Sequence, residues 1–197
     1  LVYEFSLYYL DGATIARFTH QPKDSKARRG EQILALASAS EDLPFASREV
    51  EVMRRYFPAV DSLYGTDASK EALWRESSKA SILHIASHGE FNAVSPADSR
   101  LLLGGATDDW LTVKDVFGLP LRADLVTLSA CDSGLGQLSG GDEITGLNRA
   151  FLYAGADSVV SNLWRVSDVA SAVVMKRFYR YMSEGMDKAD ALREAQK

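Results

Sequence analysis

Residues 125–130 read LVTLSA, a run of apolar and small residues without the regular polar alternation of a half-solvated strand. That is the pattern of a strand buried on both faces. Cys131-Asp132-Ser133-Gly134 follows at once, and a glycine-rich loop continues through Gly141. Ile144, Leu147, Phe151 and Ala154 then recur at helical spacing, and Gly155 stands where a helix C-cap belongs. Outward from this strand–loop–helix unit, ILALAS (33–38), ILHIAS (82–87) and SVVSNLW (158–164) read as further core strands. VYEFSLYYL (2–10), Ser62–Tyr64 and Arg100–Leu103 are additional strand candidates. Ala46, Val50, Met53 and Phe57 mark a helix that Pro58 ends, with Glu49, Glu51, Arg54 and Arg55 assigned to its solvent face. Further helices are expected over Ser69–Ser78 and Leu111–Phe117, along Ala172, Met175, Tyr179 and Met182, and after Asp187. Apolar strands between amphipathic helices predict an α/β fold: a three-layer α/β/α sandwich with a mostly parallel central sheet, residues 1–197 forming one domain.

The chain has 197 residues, with 22 Lys and Arg against 27 Asp and Glu, a net charge of −5. Apolar residues make up 46 %, an ordinary globular share that argues against disorder. One cysteine excludes an intrachain disulfide framework and a multi-cysteine zinc site, and a lone thiol fits a reducing cytoplasm. No run of 18 apolar residues is present to span a membrane, and the acidic balance argues against a nucleic-acid partner. The polar stretch 20–31, with Lys23, Lys26, Arg28 and Arg29, reads as a solvated loop. The chain begins at Leu1 and stops inside a helical pattern, so a longer parent protein is expected.

Ligands of open parallel sheets bind at the carboxyl ends of the strands. Two expected strand ends carry reactive groups: ILHIAS runs into His88-Gly89, and LVTLSA into Cys131, 43 residues later. A thiol attacks well as thiolate, and an imidazole supplies the base. A backbone N–H at Gly89 and another at Cys131 would make an oxyanion hole. Packing is the alternative for a lone cysteine, although Cys131 closes a strand just before a flexible loop. His84, His88 and Cys131 lack the four ligands of a structural zinc site, so His84 reads as a hydrogen-bonded strand histidine. Gly134 to Gly141 fails the dinucleotide fingerprint, because Ser139 stands at the third glycine position.

ILHIASHGEFN (82–92), LLLGG with LTVKDVFGL (101–119), and ADLVTLSACDSGLGQLSGGDEITGLNRAFLYAGADSVVSNLW (123–164) resemble the CHAT domain. This is the caspase-like peptidase domain often found C-terminal to TPR repeats in bacteria. LPFASREVEVMRRYFP (43–58), VMKRFYRYM and ALREAQ extend the resemblance toward both ends. It implies that His88 and Cys131 form a catalytic dyad for peptide-bond hydrolysis, with Gly89 and Cys131 as oxyanion donors and no metal or other cofactor. It also implies a protein or peptide substrate, and a TPR-like N-terminal region or a partner protein as activator. Asn162-Leu163-Trp164 is similar to the strand-end segment along which caspase-like enzymes lay substrate. Asp142, Glu143, Trp164, Arg165 and Asp168 are the substrate-contact candidates, with helix capping as the alternative for Asp142 and Asp168 and first-turn dipole complementation for Glu143. Arg165 and Ser167 depart from the Pro and Asp common in the family. Three carboxylates against one guanidinium favour a basic or uncharged residue before the cleaved bond. The alternative is a caspase-like scaffold or protein-interaction module without activity.

Overall fold

The computed structural model describes residues 3–5, 32–38, 43–92, 95–104, 109–132, 145–162 and 166–197. Its seven-stranded sheet consists of β1 (Ile33–Ala37), β2 (Val60–Tyr64), β3 (Ile82–Glu90), β4 (Arg100–Leu102), β5 (Trp110–Thr112), β6 (Leu125–Asp132) and β7 (Val159–Ser161). Strand β1 pairs in parallel with β2 and β3, and β6 pairs in parallel with β3 and β7. Strand β4 pairs antiparallel with both β3 and β5. The helices are α1 (Ala46–Tyr56), α2 (Lys70–Glu76), α3 (Val113–Phe117), α4 (Thr145–Ala154), α5 (Asp168–Ser183) and α6 (Lys188–Gln196).

The fold is the expected α/β sandwich, and the strand pleat sorts its core into two layers. Leu34, Leu36, Leu83, Ile85, Val126 and Leu128 pack against Leu73 of α2, Val116 of α3 and Phe151 of α4. Ile33, Ala35, Ile82, Ala86 and Leu125 pack against Val50 and Met53 of α1, Met175 and Phe178 of α5, and Ala191 of α6. Both sheet faces are therefore covered, which is why the central strands read as predominantly apolar runs.

Strand β3 is longer than expected. Its pairing with β1 ends at Ala37↔Ala86, and β4 occupies the edge that β1 leaves open, matching His88 with Leu102 and Glu90 with Arg100. His88 and Gly89 thus lie inside the strand rather than beyond its end, and Cys131 likewise lies inside β6. The helix expected from Leu111 begins two residues later. Trp110–Thr112 is a strand paired with β4, and Thr112 caps α3 through a reciprocal pair with Asp115. Three residues of strand pattern are too few to separate from a helix start by periodicity. Of the strand expected over Val2–Leu10, Tyr3 to Phe5 are described, and they form an exposed turn without a sheet partner. Strand β7 is shorter than the expected SVVSNLW run, and residues 163–165 lie outside the described residues.

Gly155 ends α4 as expected. Its N–H donates to Leu152 O and that of Ala156 to Phe151 O, the paired bonds of a Schellman turn. Its φ is +116°, and a Cβ there would lie 2.2 Å from Leu121 O. We expect Gly155→Ala to lower the unfolding free energy by about 1–3 kcal/mol in urea denaturation, from left-handed backbone strain and the backbone clash together.

Candidate active site

Strands β3 and β6 run parallel and in register, and His88 and Cys131 are Cα partners in that ladder. Neighbouring strands lie about 4.8 Å apart, and positions in parallel register share a face of the pleat. Positions 82, 84, 86 and 88 of β3 and 125, 127, 129 and 131 of β6 therefore form one surface, the one covered by α1 and α5 farther down the strands. His88 is half-buried at the carboxyl end of that surface. Across the sheet its other register partner is Leu102.

Gly89 is buried on the opposite face, in register with Leu101 and Asp132. A Cβ there would meet the Phe91 ring at 2.7 Å, so close packing is one physical reason for glycine at this position. The end of β7 lies beside β6: Asn162 Nδ2 donates to Ala130 O at 3.5 Å, one residue before Cys131. Asp142, Glu143, Trp164 and Arg165 lie outside the described residues. Asp168, the remaining substrate-contact candidate, is the first residue of α5. Its Oδ2 accepts the backbone N–H of Phe45 at 2.9 Å, so its carboxylate satisfies an orphan donor at the start of α1.

Below the His88–Cys131 pair lies a buried polar layer that sequence reasoning missed. His84 is fully buried, and Glu49 is only 3 % exposed. Tyr179 Oη donates to Thr127 Oγ1 at 3.0 Å and lies 3.0 Å from His84 Nδ1. Since the phenol proton is directed at Thr127, His84 Nδ1 is the donor toward Tyr179. On the other side of the ring, His84 Nε2 and Glu49 Oε2 face each other at 3.3 Å, and neither atom makes a well-aligned hydrogen bond. Ser129 Oγ donates to Glu49 Oε1 at 3.0 Å and lies 2.9 Å from Ser171 Oγ, which therefore donates to it.

His84 is thus a hydrogen-bonded strand residue, as expected. Among the described residues no three His, Cys, Asp or Glu side chains converge as a metal would require. Glu49 is not on the solvent face of α1. It stands three residues after Ala46 and four before Met53, within the buried stripe, and that spacing was the available signal.

Burial, reinforced by the Glu49 carboxyl, raises the Tyr179 phenol far above its ordinary range, against the opposing hydrogen bond to Thr127. Above about pH 10 the unfolded phenol ionises while the folded one keeps its proton, so stability declines as pH rises. We expect Tyr179→Phe to cost about 1–3 kcal/mol at neutral pH by leaving His84 and Thr127 without their partner. It should also remove a decline of about 1.4 kcal/mol per pH unit above pH 10. Urea denaturation across pH 7–11 reads both effects.

The sequence model of the CHAT domain matches residues 1–197. Tetratricopeptide repeat protein 28 of Mus musculus is 37 % identical over 87 residues, or 44 % of this chain. Its Homo sapiens counterpart is 35 % identical over 112 residues, or 57 % of this chain. The match spans only 4 % of the length of either relative. No helix among the described residues is long and apolar enough to cross a membrane. With the motif residues in one ladder and the family match running from end to end, this chain belongs to the CHAT domain family.

Proposed function

We propose that this chain is a caspase-like cysteine endopeptidase with Cys131 as nucleophile and His88 as its acid–base partner. The observation that carries the reading is their register: two positions on one sheet face, on adjacent parallel strands, at the carboxyl edge. The chemistry follows from the residue types. The Cys131 thiolate attacks the scissile carbonyl carbon, and the resulting oxyanion is met by backbone N–H groups. Collapse of that intermediate breaks the C–N bond while the imidazolium of His88 gives its proton to the leaving amine. Water, deprotonated by His88, then hydrolyses the thioester and restores the thiol. Cys131 and Gly89 are the proposed oxyanion donors. Gly89 lies within the ladder, so its N–H serves only if it turns toward substrate at this strand end.

Asp142, Glu143, Trp164 and Arg165 are the proposed substrate contacts, on the strength of the resemblance. Asp168 is already engaged at α1, so a preference for a basic or uncharged residue before the cleaved bond rests on Asp142 and Glu143. Residues 1–197 are taken as one catalytic domain acting on a protein or peptide in a reducing cytoplasm, as its single thiol suggests. The name of the relatives supports a TPR-containing context for the activating region.

One observation favours the second reading, a protein-interaction module. Trp74, Phe117 and Tyr153 remain 43 %, 45 % and 79 % exposed on the face opposite the dyad. The Phe117 and Tyr153 rings meet edge to face at 5.2 Å, and Trp74 lies over Gly118. Exposed aromatic clusters of this kind serve partner binding.

Cleavage of a peptide library separates the readings. Cys131→Ala and His88→Ala are each expected to reduce cleavage by several orders of magnitude without loss of folding. Iodoacetamide is expected to abolish activity and EDTA to leave it intact. Substantial cleavage by Cys131→Ala would refute the peptidase assignment.

A further inference from the structure

The first turns of α1 and α5 meet above β6, two residues before Cys131. Asp168 at the start of α5 accepts the N–H of Phe45 at the start of α1. One turn into α1, Glu49 accepts the hydroxyl proton of Ser129, and one turn into α5, Ser171 lies within hydrogen-bond distance of the same hydroxyl. Ser129 is thereby gripped from both helices. The other oxygen of the Glu49 carboxyl faces the buried ring of His84 at 3.3 Å, and Tyr179 holds the far side of the ring. Along β6 the positions 127, 129 and 131 follow one another on this face, and Ala86 and His88 are the register partners of 129 and 131.

A hydrophobic strand would be covered more simply by apolar side chains. Replacing a buried ionic layer with them is often neutral or stabilising, so these groups are weak evidence for stability. What hydrogen bonds supply and apolar contacts do not is a fixed direction and distance. We propose that Glu49, acting through Ser129 and together with Ser171, is a positioning residue that holds the end of β6 so that position 131 stays in register with His88. The proposal rests on the dyad reading above and names the residues that keep the dyad in register.

The single cysteine of the chain makes the test specific, because alkylation by iodoacetamide, read by mass spectrometry, reports Cys131 alone. Rates are compared across pH 5.5–9.5 for the full chain, its Ser129→Ala, Ser171→Ala, Glu49→Gln and His88→Ala variants, with melting temperatures alongside. Ser129→Ala and Ser171→Ala are expected to slow alkylation roughly fivefold near pH 6.5, since small displacements at a reacting pair cost large factors. The difference should vanish near pH 9.5, where any thiol ionises. Glu49→Gln should stay within about twofold, because its amide still accepts from Ser129 and can donate to His84 Nε2. A purely structural role predicts the opposite sign, a lower melting temperature with an unchanged or faster thiol. If Ser129→Ala does not fold, Ser171→Ala carries the same comparison.

Wild-type rates well above those of His88→Ala, but equal to those of Ser129→Ala and Ser171→Ala, would overturn this proposal and leave the dyad standing. Wild-type rates equal to those of His88→Ala would overturn both. Slowing by Glu49→Gln as large as that by Ser129→Ala would overturn it too, by showing that charge and not the hydrogen-bonded grip matters.

Discussion

Eight consecutive register pairs, from Ile82↔Leu125 to Gly89↔Asp132, hold β3 against β6. Strand side chains alternate between faces, so a slip by a single residue would put His88 and position 131 on opposite sides of the sheet. The two-layer core prevents that slip. Leu83, Ile85, Val126 and Leu128 belong to one layer, and Ile82, Ala86 and Leu125 to the other, so a shift would turn every one of them toward the wrong helices. The antiparallel strand β4 completes the arrangement. It supports β3 beyond the end of β1 and so carries His88 out to the edge while keeping it inside a ladder.

The polar layer beneath this edge gives the site its second constraint. Glu49, His84, Thr127 and Tyr179 are almost wholly withdrawn from water, and all four belong to hydrogen bonds that join α1 or α5 to β3 or β6. Such a layer is costly unless its members are paired, so it fixes the helices over the sheet more narrowly than apolar contacts do. The Asp168–Phe45 bond closes the same arrangement at the helix starts.

Much of this was legible in the sequence, and the physical reason differs from part to part. ILALA, ILHIAS and LVTLSA announced themselves because strands buried on both faces are mostly apolar, without regular polar alternation. Gly155 was legible because a left-handed helix end needs glycine. The neighbourhood of His88 and Cys131 was legible from motif order, but the extension of both strands through these residues was not, since it depends on β4, a three-residue strand with no periodicity of its own. Asp168 read as a substrate contact because its role depends on Phe45, 123 residues away. Glu49 was missed because a charged residue was assigned to solvent by type, although its spacing from Ala46 and Met53 placed it inward. Partnered buried charges escape composition-based reading because their partners come from other elements.

The central claim is that the β3–β6 register makes Cys131 and His88 a working pair, and the ionisation of the lone thiol tests it most directly. Thiolate absorbance near 240 nm, followed from pH 4 to 9, reports Cys131 alone in this single-cysteine chain. The account predicts that the wild-type thiol titrates at least about one pH unit below the ordinary cysteine value near 8.5, and that His88→Ala returns it to that value. Identical titrations near 8.5 in the two proteins would contradict it.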